Sequence, residues 1–220
     1  MREPLIRLEG VCFGYDPARP VLDHATLTLA AGERVALVGD NGSGKTTLLH
    51  LVVGLLKPAA GTVWAFGRER RIERDFTEVR ARAGLLFQDP DDQLFCPTVL
   101  EDVAFGPLNL GRRPAEARAI AEATLADLGL GDFGARITHR LSGGEKRLVT
   151  LATVLAMQPD VLLLDEPTVG LDERSLRRLT ELLEARPQAM LIVSHDGAFR
   201  ERLATRVASL REGRINDACP

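Results

Sequence analysis

Apolar positions along the chain follow two different periodicities, which separate candidate strands from candidate helices. Alternating or short continuous apolar runs predict strands at residues 5–13, 21–29, 34–38, 62–66 and 84–87. Longer helical spacing predicts helices at 45–56, 142–157 and 173–185. The aliphatic runs at 161–164 and 189–194 are typical of central parallel strands covered on both faces. A helix between these two strands predicts a crossover unit of an α/β sheet.

The middle of the chain has a different pattern, with mostly helical signals from residue 98 to 139. Pro114 suits the first turn of a helix and Gly129 suits its end. One face of this helix is shared by Ile120, Thr124, Leu125 and Leu128. We therefore predict one domain over 1–220, with an α/β core at 1–88 and 141–220 and a helical subdomain at about 89–140.

Charge and cysteine usage exclude several classes of protein. The 28 basic and 31 acidic side chains give a net charge of −3, which is a poor basis for general nucleic-acid binding. The longest uncharged stretch, residues 148–159, is well short of the roughly 20 apolar residues that a spanning helix needs. Three distant cysteines fit neither a disulfide framework nor a CxxC metal site, which favours a reducing compartment. We expect no nucleic-acid partner and no membrane crossing by the chain itself.

A glycine-rich loop between the strand at 34–38 and the following helix is the sharpest motif. It matches GxxxxGK[ST] with Gly39, Asp40, Asn41, Gly42, Ser43, Gly44, Lys45 and Thr46. Glycines let backbone N–H groups converge on phosphate oxygens, and the helix adds its positive N-terminal end. Lys45 would reach the terminal phosphates and the Thr46 hydroxyl could ligate Mg²⁺. A chance glycine turn is the alternative, but the flanking strand and helix favour nucleotide binding.

Two further motifs carry candidate chemistry. Asp165 and Glu166 end the buried strand at 161–164, at the sheet edge where ligands of open α/β sheets bind. Asp165 could hold the Mg²⁺ shell and Glu166 could polarise an attacking water, although a solvated strand-end cap is the alternative. A second anion nest lies at 141–145, where Ser142 would cap a helix. A plain helix cap would explain that segment too, but two anion sites on one chain suggest a second subunit.

Together these features resemble the ATP-binding cassette ATPases, the nucleotide-binding subunits of ABC transporters. The resemblance extends from Leu5 to Ile215 and rests on five motifs in family order: the phosphate loop, Gln88, the LSGG-type signature at 141–145, the Asp165–Glu166 strand end and His195. It implies a P-loop cassette with a RecA-like α/β core, an N-terminal antiparallel β subdomain and an inserted helical subdomain.

The resemblance also implies ATP and Mg²⁺ as ligands, and it assigns roles to single residues. Tyr15 resembles the aromatic residue that stacks on adenine, with a core tyrosine as the alternative. His195 and Lys45 would contact the γ-phosphate, Glu166 would align the water, and Gln88 would touch both the water and the ion. The ion would be held by Thr46, Gln88 and Asp165. The nucleotide-binding set extends from Gly39 to Thr47.

Family knowledge further implies a homodimer of cassettes that pair head to tail. Ser142, Gly143, Gly144 and Glu145 of one copy would close on ATP held by the other. Asp172 resembles the aspartate of the inter-subunit loop, and it would also cap a helix. An integral membrane coupling subunit would dock near Gln88–Phe95, with a substrate-capture subunit as an indirect partner. The chain would then be peripheral, at the cytoplasmic face of the cell membrane.

A finer resemblance is to the ATPases of energy-coupling-factor importers of the cobalt and nickel type. It rests on the segments 87–95, 97–99 and 102–110. Another ABC importer or exporter with a different cargo, such as a vitamin, stays open, as do a soluble ABC protein and a catalytically silent scaffold. The signature departs from many relatives, with Glu145 where Gln is common and Leu148 where Arg is frequent, and we expect this to tune the ATP contact only.

Overall fold

The computed structural model describes residues 3–16 and 18–218, which form two compact units. The first unit comprises the described residues within 1–85, 160–165 and 187–220, and the second comprises 86–159 and 166–186. In chain order the strands are β1 Ile6–Phe13, β2 Leu22–Leu29, β3 Arg34–Val38, β4 Ala60–Ala65, β5 Arg68–Arg70, β6 Ala83–Leu86, β7 Val161–Asp165, β8 Ala189–Val193, β9 Arg206–Arg211 and β10 Arg214–Ala218. The helices are α1 Lys45–Val52, α2 Phe76–Arg82, α3 Val99–Asn109, α4 Pro114–Asp127, α5 Gly143–Leu155, α6 Glu173–Glu184 and α7 Gly197–Leu203.

Two sheets organise the strands. An antiparallel sheet has the order β2-β1-β4-β5, and a larger sheet has the order β10-β9-β3-β8-β7-β6. In the larger sheet β3 pairs in parallel with β8 and β9, and β7 pairs in parallel with β8. All ten residues of β7 and β8 are buried, as expected for central strands covered on both faces. The carboxyl ends of β3, β8 and β7 therefore lie side by side at one edge.

The second unit contains α3, α4, α5 and α6, and sequence-local caps define where two of these helices begin. Thr98 Oγ1 accepts a hydrogen bond from the Glu101 backbone N–H, while Glu101 accepts from the Thr98 backbone N–H. Ser142 and Glu145 form the same reciprocal capping box on α5. Such caps satisfy backbone donors that the first helical turn leaves without partners.

The predicted strands and long helices are confirmed, with differences at the ends. The helix after the phosphate loop ends at Val52 instead of residue 56, because Gly54 takes φ +72° and its α-carbon lies against the Phe76 ring. In α4 the buried residues are Ala117, Ala121 and Leu125, whereas Ile120 and Thr124 are half-buried. Small alanines bring this helix close to its neighbours, and the hydrophobic pattern gave them too little weight.

Three short elements, β5, α2 and α7, have no counterpart in the prediction. β5 consists of Arg68, Glu69 and Arg70, and its only buried side chain is that of Arg70. The Arg70 guanidinium donates to the carbonyls of Ala65 and Asp75 and pairs with Glu78. Charge patterns alone do not predict such a buried arginine. Within the described residues, no helix is long and apolar enough to cross a bilayer, and Cys219 lies outside these residues.

Candidate nucleotide-binding and hydrolysis site

The phosphate loop of the first unit connects β3 to α1 through backbone conformations that suit glycine. Gly42 and Gly44 have φ values of +77° and +103°, which L side chains rarely adopt. A Cβ on Gly44 would lie 2.7 Å from Val21 Cγ1, so the loop is also closely covered there. A Cβ on Gly42 would meet nothing within 4 Å, so this part of the loop is open. The loop thus offers backbone N–H groups on an accessible concave surface.

The Lys45 side chain lies within the phosphate loop and binds its backbone. Its side chain is 8% exposed, and Nζ donates to the carbonyls of Gly39 and Asp40 at 2.8 Å each. An ammonium group has three N–H donors, so this geometry holds a positive charge within the loop. Among the described residues, the buried Ser43 hydroxyl has no hydrogen-bond partner. Phosphate oxygens would accept hydrogen bonds from the Lys45 ammonium and the Ser43 hydroxyl, so these residues fit a nucleoside triphosphate.

Tyr15 lies beside this loop. Its hydroxyl is 3.2 Å from Thr47 Oγ1, and its ring packs edge-on against Phe13 with the centroids 5.0 Å apart. Tyr15 is 69% exposed, so the interpretation as a core tyrosine does not hold. The exposed ring suits stacking against a purine base.

Asp165 is the last residue of β7, and His195 lies just beyond β8, the strand between β7 and β3. Asp165 ends β7 in register with Val193 of β8, and Val193 is also the partner of Leu37 in β3. The Asp165 carboxyl is 2% exposed, whereas His195 is exposed two residues beyond β8. Parallel strands direct their carboxyl ends to one edge, where open α/β sheets bind ligands. The first unit therefore brings the phosphate loop, Thr46, Asp165 and His195 to one sheet edge.

Glu166, the first residue of the second unit after β7, has an unusual backbone. Its φ is +43°, and the side chain is 6% exposed. A non-glycine residue in this region costs about 1–3 kcal/mol, and such residues cluster at functional sites. The positive φ is independent of the sequence motif Asp165–Glu166, and it favours a functional role for Glu166.

The loop that contains Gln88 is held from α5 by a buried arginine. Arg147 is 1% exposed, and its guanidinium donates to the carbonyls of Phe87 at 2.7 Å and Gln88 at 2.6 Å. The Gln93 amide adds to this, because it accepts from the Phe87 N–H and donates to Thr150 and Thr153 on α5. These hydrogen bonds fix the backbone of the loop while the Gln88 side chain stays exposed.

Sequence reasoning missed Arg147. Leu148 stands where many relatives have arginine, but the arginine of this chain lies one position earlier and donates to the glutamine loop. Its signal is visible in the sequence, since Arg147 is followed by eight uncharged residues to the end of α5. An isolated charge at the start of a buried helical stretch has to find partners, and here the partners are carbonyls.

The signature residues form a closed network around Ser142. The Ser142 N–H and hydroxyl both donate to Glu145 Oε2, and Arg136 pairs with Glu145 Oε1 at 3.0 Å. The hydrogen bonds from Ser142, the backbone N–H foremost, lower the pKa of Glu145 below its ordinary value. The carboxylate is therefore charged at neutral pH. The helix-capping interpretation is confirmed, and a contact with a partner's ATP stays a prediction.

Asp172 caps α6 beside this network. Its Oδ1 accepts from the Ser175 N–H at 2.7 Å, and this hydrogen bond lowers the pKa of Asp172. A cleft of about 300 Å³ lies between the two helix starts and is lined by Ser142, Gly144, Asp172 and Ser175, among others. The second unit thus brings the signature and Asp172 together, with both helix N-termini at one cleft.

Comparison with known proteins identifies the family. Residues 22–169, well over half of the chain, match the ABC transporter family. The chain belongs to the ABC transporter ATP-binding family. An ABC transporter ATP-binding protein of Brucella suis biovar 1, whose name gives no cargo, is 59% identical over 97% of this chain and 88% of its own length. The cobalt import ATP-binding protein CbiO of Rhodobacter capsulatus is 46% identical over 96% of this chain and 77% of its own length. The nickel import ATP-binding protein NikO of the same organism is 43% identical over 99% and 89%.

Solved structures agree with this membership. CbiO1 of Clostridium perfringens, described as part of the CbiONQ transporter complex, has a TM-score of 0.85 and 31% identity, covering 98% of this chain and 88% of its own. A dimeric cassette, MJ0796, bound to ADP and phosphate after hydrolysis, has a TM-score of 0.84 and 25% identity, covering 98% and 99%. The predicted ABC cassette fold is therefore confirmed. The chain is the ATP-binding and ATP-hydrolysing subunit of an ABC transporter.

Proposed function

We propose that this ABC ATPase powers an energy-coupling-factor type importer of cobalt or nickel ions. The similarity to CbiO and NikO, together with the structural similarity to CbiO1 of a CbiONQ complex, supports this choice. The segments at 87–95 and 102–110, which suggested the subclass, border the proposed docking surface for a membrane subunit. An importer or exporter of another cargo is the alternative, since the name of the Brucella suis relative gives none.

In this proposal, residues of the first unit bind ATP. The backbone N–H groups from Gly39 to Thr47 surround the phosphates, and Lys45 exchanges a carbonyl partner for a phosphate oxygen. Tyr15 stacks on the adenine. His195 donates to the γ-phosphate from its exposed position after β8. The adenine and the phosphates are thereby recognised by groups of different chemistry.

Hydrolysis is assigned to Glu166 as the group that orients and deprotonates water. The water oxygen bonds to the γ-phosphorus, the bond from that phosphorus to the bridging oxygen breaks, and ADP and phosphate leave. Glu166 takes up the proton that the water loses. The oxygen-bearing side chains of Thr46, Gln88 and Asp165 are suited to Mg²⁺, which would neutralise phosphate charge when bound.

A second copy completes the site in this proposal. The α5 N-terminus with Ser142, Gly143 and Gly144 faces the phosphates that the other copy holds, since backbone N–H groups at a helix start bind anions. Asp172 lines the same cleft as Ser142 within this chain, which supports its place in an inter-subunit loop. The dimeric state of MJ0796 supports this pairing.

Coupling to the membrane subunit is assigned to an exposed apolar surface beside the glutamine loop. Phe95 is 64% exposed and packs edge-on against Phe105, while Leu108 continues the same face of α3. Buried Asp102 holds this segment, because its Oδ1 accepts from the N–H groups of Phe95 and Cys96. Exposed aromatic residues on a fixed backbone are typical of a docking site.

The cargo is tested by metal uptake in the native host. Deletion of the coding gene should abolish uptake of radioactive Co²⁺ or Ni²⁺, and the wild-type gene should restore it. A gene carrying Glu166→Gln should not restore uptake, although the protein accumulates normally. Unchanged uptake of both metals in the deletion strain would move the protein to the alternative with another cargo.

The docking surface is tested by separating ATP hydrolysis from coupling. Phe95→Ser should leave the ATPase activity of the isolated chain intact but abolish co-purification of its membrane subunit and metal uptake. Leu55→Ser, an apolar residue of similar exposure near the end of α1, is the matched control and should retain both. Full uptake with Phe95→Ser would contradict docking at this surface.

A further inference from the structure

A cluster of metal-ligating side chains lies on the antiparallel sheet of the first unit and is not used by the ATPase chemistry. Within residues 3–16 and 18–218, the ligand atoms of Cys12, Asp23 and His24 all lie within 4.8 Å of one another. Cys12 Sγ is 3.7 Å from His24 Nδ1, and His24 Nδ1 is 2.7 Å from Asp23 Oδ1. Sulfur, nitrogen and oxygen donors are thus gathered at one point.

A β-bulge explains how two consecutive residues reach the same cysteine. In a regular strand, Asp23 and His24 would point to opposite faces. Between the pairs Val11↔Ala25 and Phe13↔Leu22, however, β1 contributes one residue and β2 contributes two. Cys12 therefore faces both Asp23 and His24, which is the defining count of a bulge. His24 has a positive φ of +52°, which L side chains rarely adopt.

The sulfur–nitrogen distance matches a tetrahedral metal site, whereas the nitrogen–oxygen distance is shorter than such a site needs. Metal–nitrogen and metal–oxygen bonds of about 2.0–2.1 Å, with a metal–sulfur bond of about 2.3 Å, place ligand atoms about 3.3–3.6 Å apart. The sulfur–nitrogen separation of 3.7 Å is already at this value. The nitrogen–oxygen separation has to widen by about 0.6 Å, as the His24–Asp23 hydrogen bond gives way to two metal bonds.

Neighbouring groups prepare the ligands. The His24 backbone N–H donates to Cys12 Sγ at 3.3 Å, which holds the sulfur beside the histidine. Arg214 donates to Asp23 Oδ2 and leaves Oδ1 toward the histidine, as an outer partner of a ligating carboxylate does.

We propose that Cys12, Asp23 and His24 form a binding site for a divalent transition metal ion of the Zn²⁺ class. One sulfur, one nitrogen and one oxygen ligand suit Zn²⁺ or Co²⁺ in tetrahedral geometry, with the fourth position open to water. His24 is 74% exposed at its side chain, so the ion enters directly from solvent. The site is independent of any role in cobalt or nickel import.

Co²⁺ is the probe that tests this site, because a Co²⁺–thiolate bond has a charge-transfer absorption. The full chain with Cys219→Ser, kept reduced and free of oxygen, should bind one Co²⁺ with this band and the visible spectrum of tetrahedral Co²⁺. Zn²⁺ should displace both signals. Cys12→Ser should remove the charge-transfer band, and His24→Asn should weaken Co²⁺ binding at least about tenfold.

Matched controls separate this site from adventitious binding. Cys96→Ser and His139→Asn remove another thiol and another exposed imidazole, and both should leave the Co²⁺ spectrum unchanged. His24→Asn should fold normally because asparagine readily adopts a positive φ, so it serves as the decisive variant if Cys12→Ser unfolds. Absence of the charge-transfer band in the parent chain, its persistence in Cys12→Ser, or unchanged affinity in folded His24→Asn would overturn the proposal.

Discussion

The phosphate loop of the first unit and the signature region of the second are both suited to phosphate, but they are built differently. In the first unit, glycine backbone angles and carbonyl contacts of Lys45 shape the loop between β3 and α1. In the second unit, side-chain hydrogen bonds fix the backbone. Ser142 and Glu145 cap α5, and the buried Arg147 holds the glutamine loop. The first arrangement depends on residues that are adjacent in the chain, whereas the second joins segments about sixty positions apart.

This difference has a functional consequence. A backbone cradle is in place before the nucleotide arrives, which suits tight binding of ATP. A side-chain network can exchange partners, because Ser142 now donates to Glu145 and would turn to a phosphate of the other copy. We infer that binding strength resides mainly in the first unit, and that turnover and its coupling depend on the second.

The largest expected loss of ATP affinity comes from a substitution that disrupts the glycine backbone of the phosphate loop. Gly44→Ala forces an alanine to φ +103° with its Cβ against Val21, so ATP affinity should fall at least about tenfold, as expected for a strained backbone. Gly131→Ala, outside the proposed nucleotide contacts, is the matched control, since its Cβ would meet only the Ala126 α-carbon at 3.9 Å. Its free energy of unfolding should change by less than about 0.5 kcal/mol. Fluorescent nucleotide titration and denaturant unfolding measure both, and wild-type affinity in Gly44→Ala would contradict a backbone-built loop.

A smaller effect is expected from the arginine that holds the glutamine loop. Arg147→Met leaves the carbonyls of Phe87 and Gln88 without their donor, which should lower the free energy of unfolding by about 1–3 kcal/mol. ATP turnover should fall about tenfold, because misplacement of a catalytic loop costs that much or more. ATP affinity should stay unchanged.

Two comparisons sharpen this result. Arg147→Lys keeps the positive charge but lacks the planar guanidinium that donates to both carbonyls. Its free energy of unfolding should therefore be closer to the wild-type value than its ATP turnover is. Arg140→Met removes an exposed arginine nearby and should change neither. A folded Arg147→Met chain with wild-type ATP turnover would show that hydrolysis does not depend on how Arg147 holds the backbone of Gln88.

The smallest effect concerns the glutamate of the signature. Glu145→Gln should lower the free energy of unfolding by less than about 1 kcal/mol at neutral pH, because the pair with Arg136 is screened by solvent. The folded-state pKa of Glu145 lies below 4.5, so its contribution is present above pH 4.5 and is lost as the pH falls through the folded-state pKa. Melting curves from neutral to acidic pH should therefore converge for wild type and Glu145→Gln. Glu181→Gln controls for loss of an exposed charge, and a difference that grows on acidification would contradict the assigned shift.

Sequence reasoning reached the first unit more completely than the second, for the same physical reason. The phosphate loop, Asp165 and His195 follow directly from apolar strands that end in special residues, and periodicity locates such strands. Arg147, by contrast, is visible as an isolated charge on a buried helical stretch, but nothing local in the sequence indicates that its partner is the carbonyl of Phe87. The strained backbone of Glu166 was equally invisible, since φ depends on how the chain leaves β7.

Short elements and the metal cluster illustrate the same limit. β5 and α2 have too few apolar residues for a periodic signal, and Arg70 is buried because it finds carbonyl partners. Cys12 and His24 are twelve positions apart, without metal-ligand spacing, until the bulge on β2 brings them together. Register and bulges are properties of paired strands, so one strand's pattern does not predict them.

The most direct test of the account is the ATP turnover of Glu166→Gln. This substitution keeps the shape of the side chain but removes the proton acceptor, so turnover should fall by about 100-fold or more while ATP affinity is retained. Glu181→Gln, measured beside it, should hydrolyse ATP at the wild-type rate. Wild-type turnover in a folded, ATP-binding Glu166→Gln chain would contradict the assignment of the hydrolytic base to the strained residue after β7.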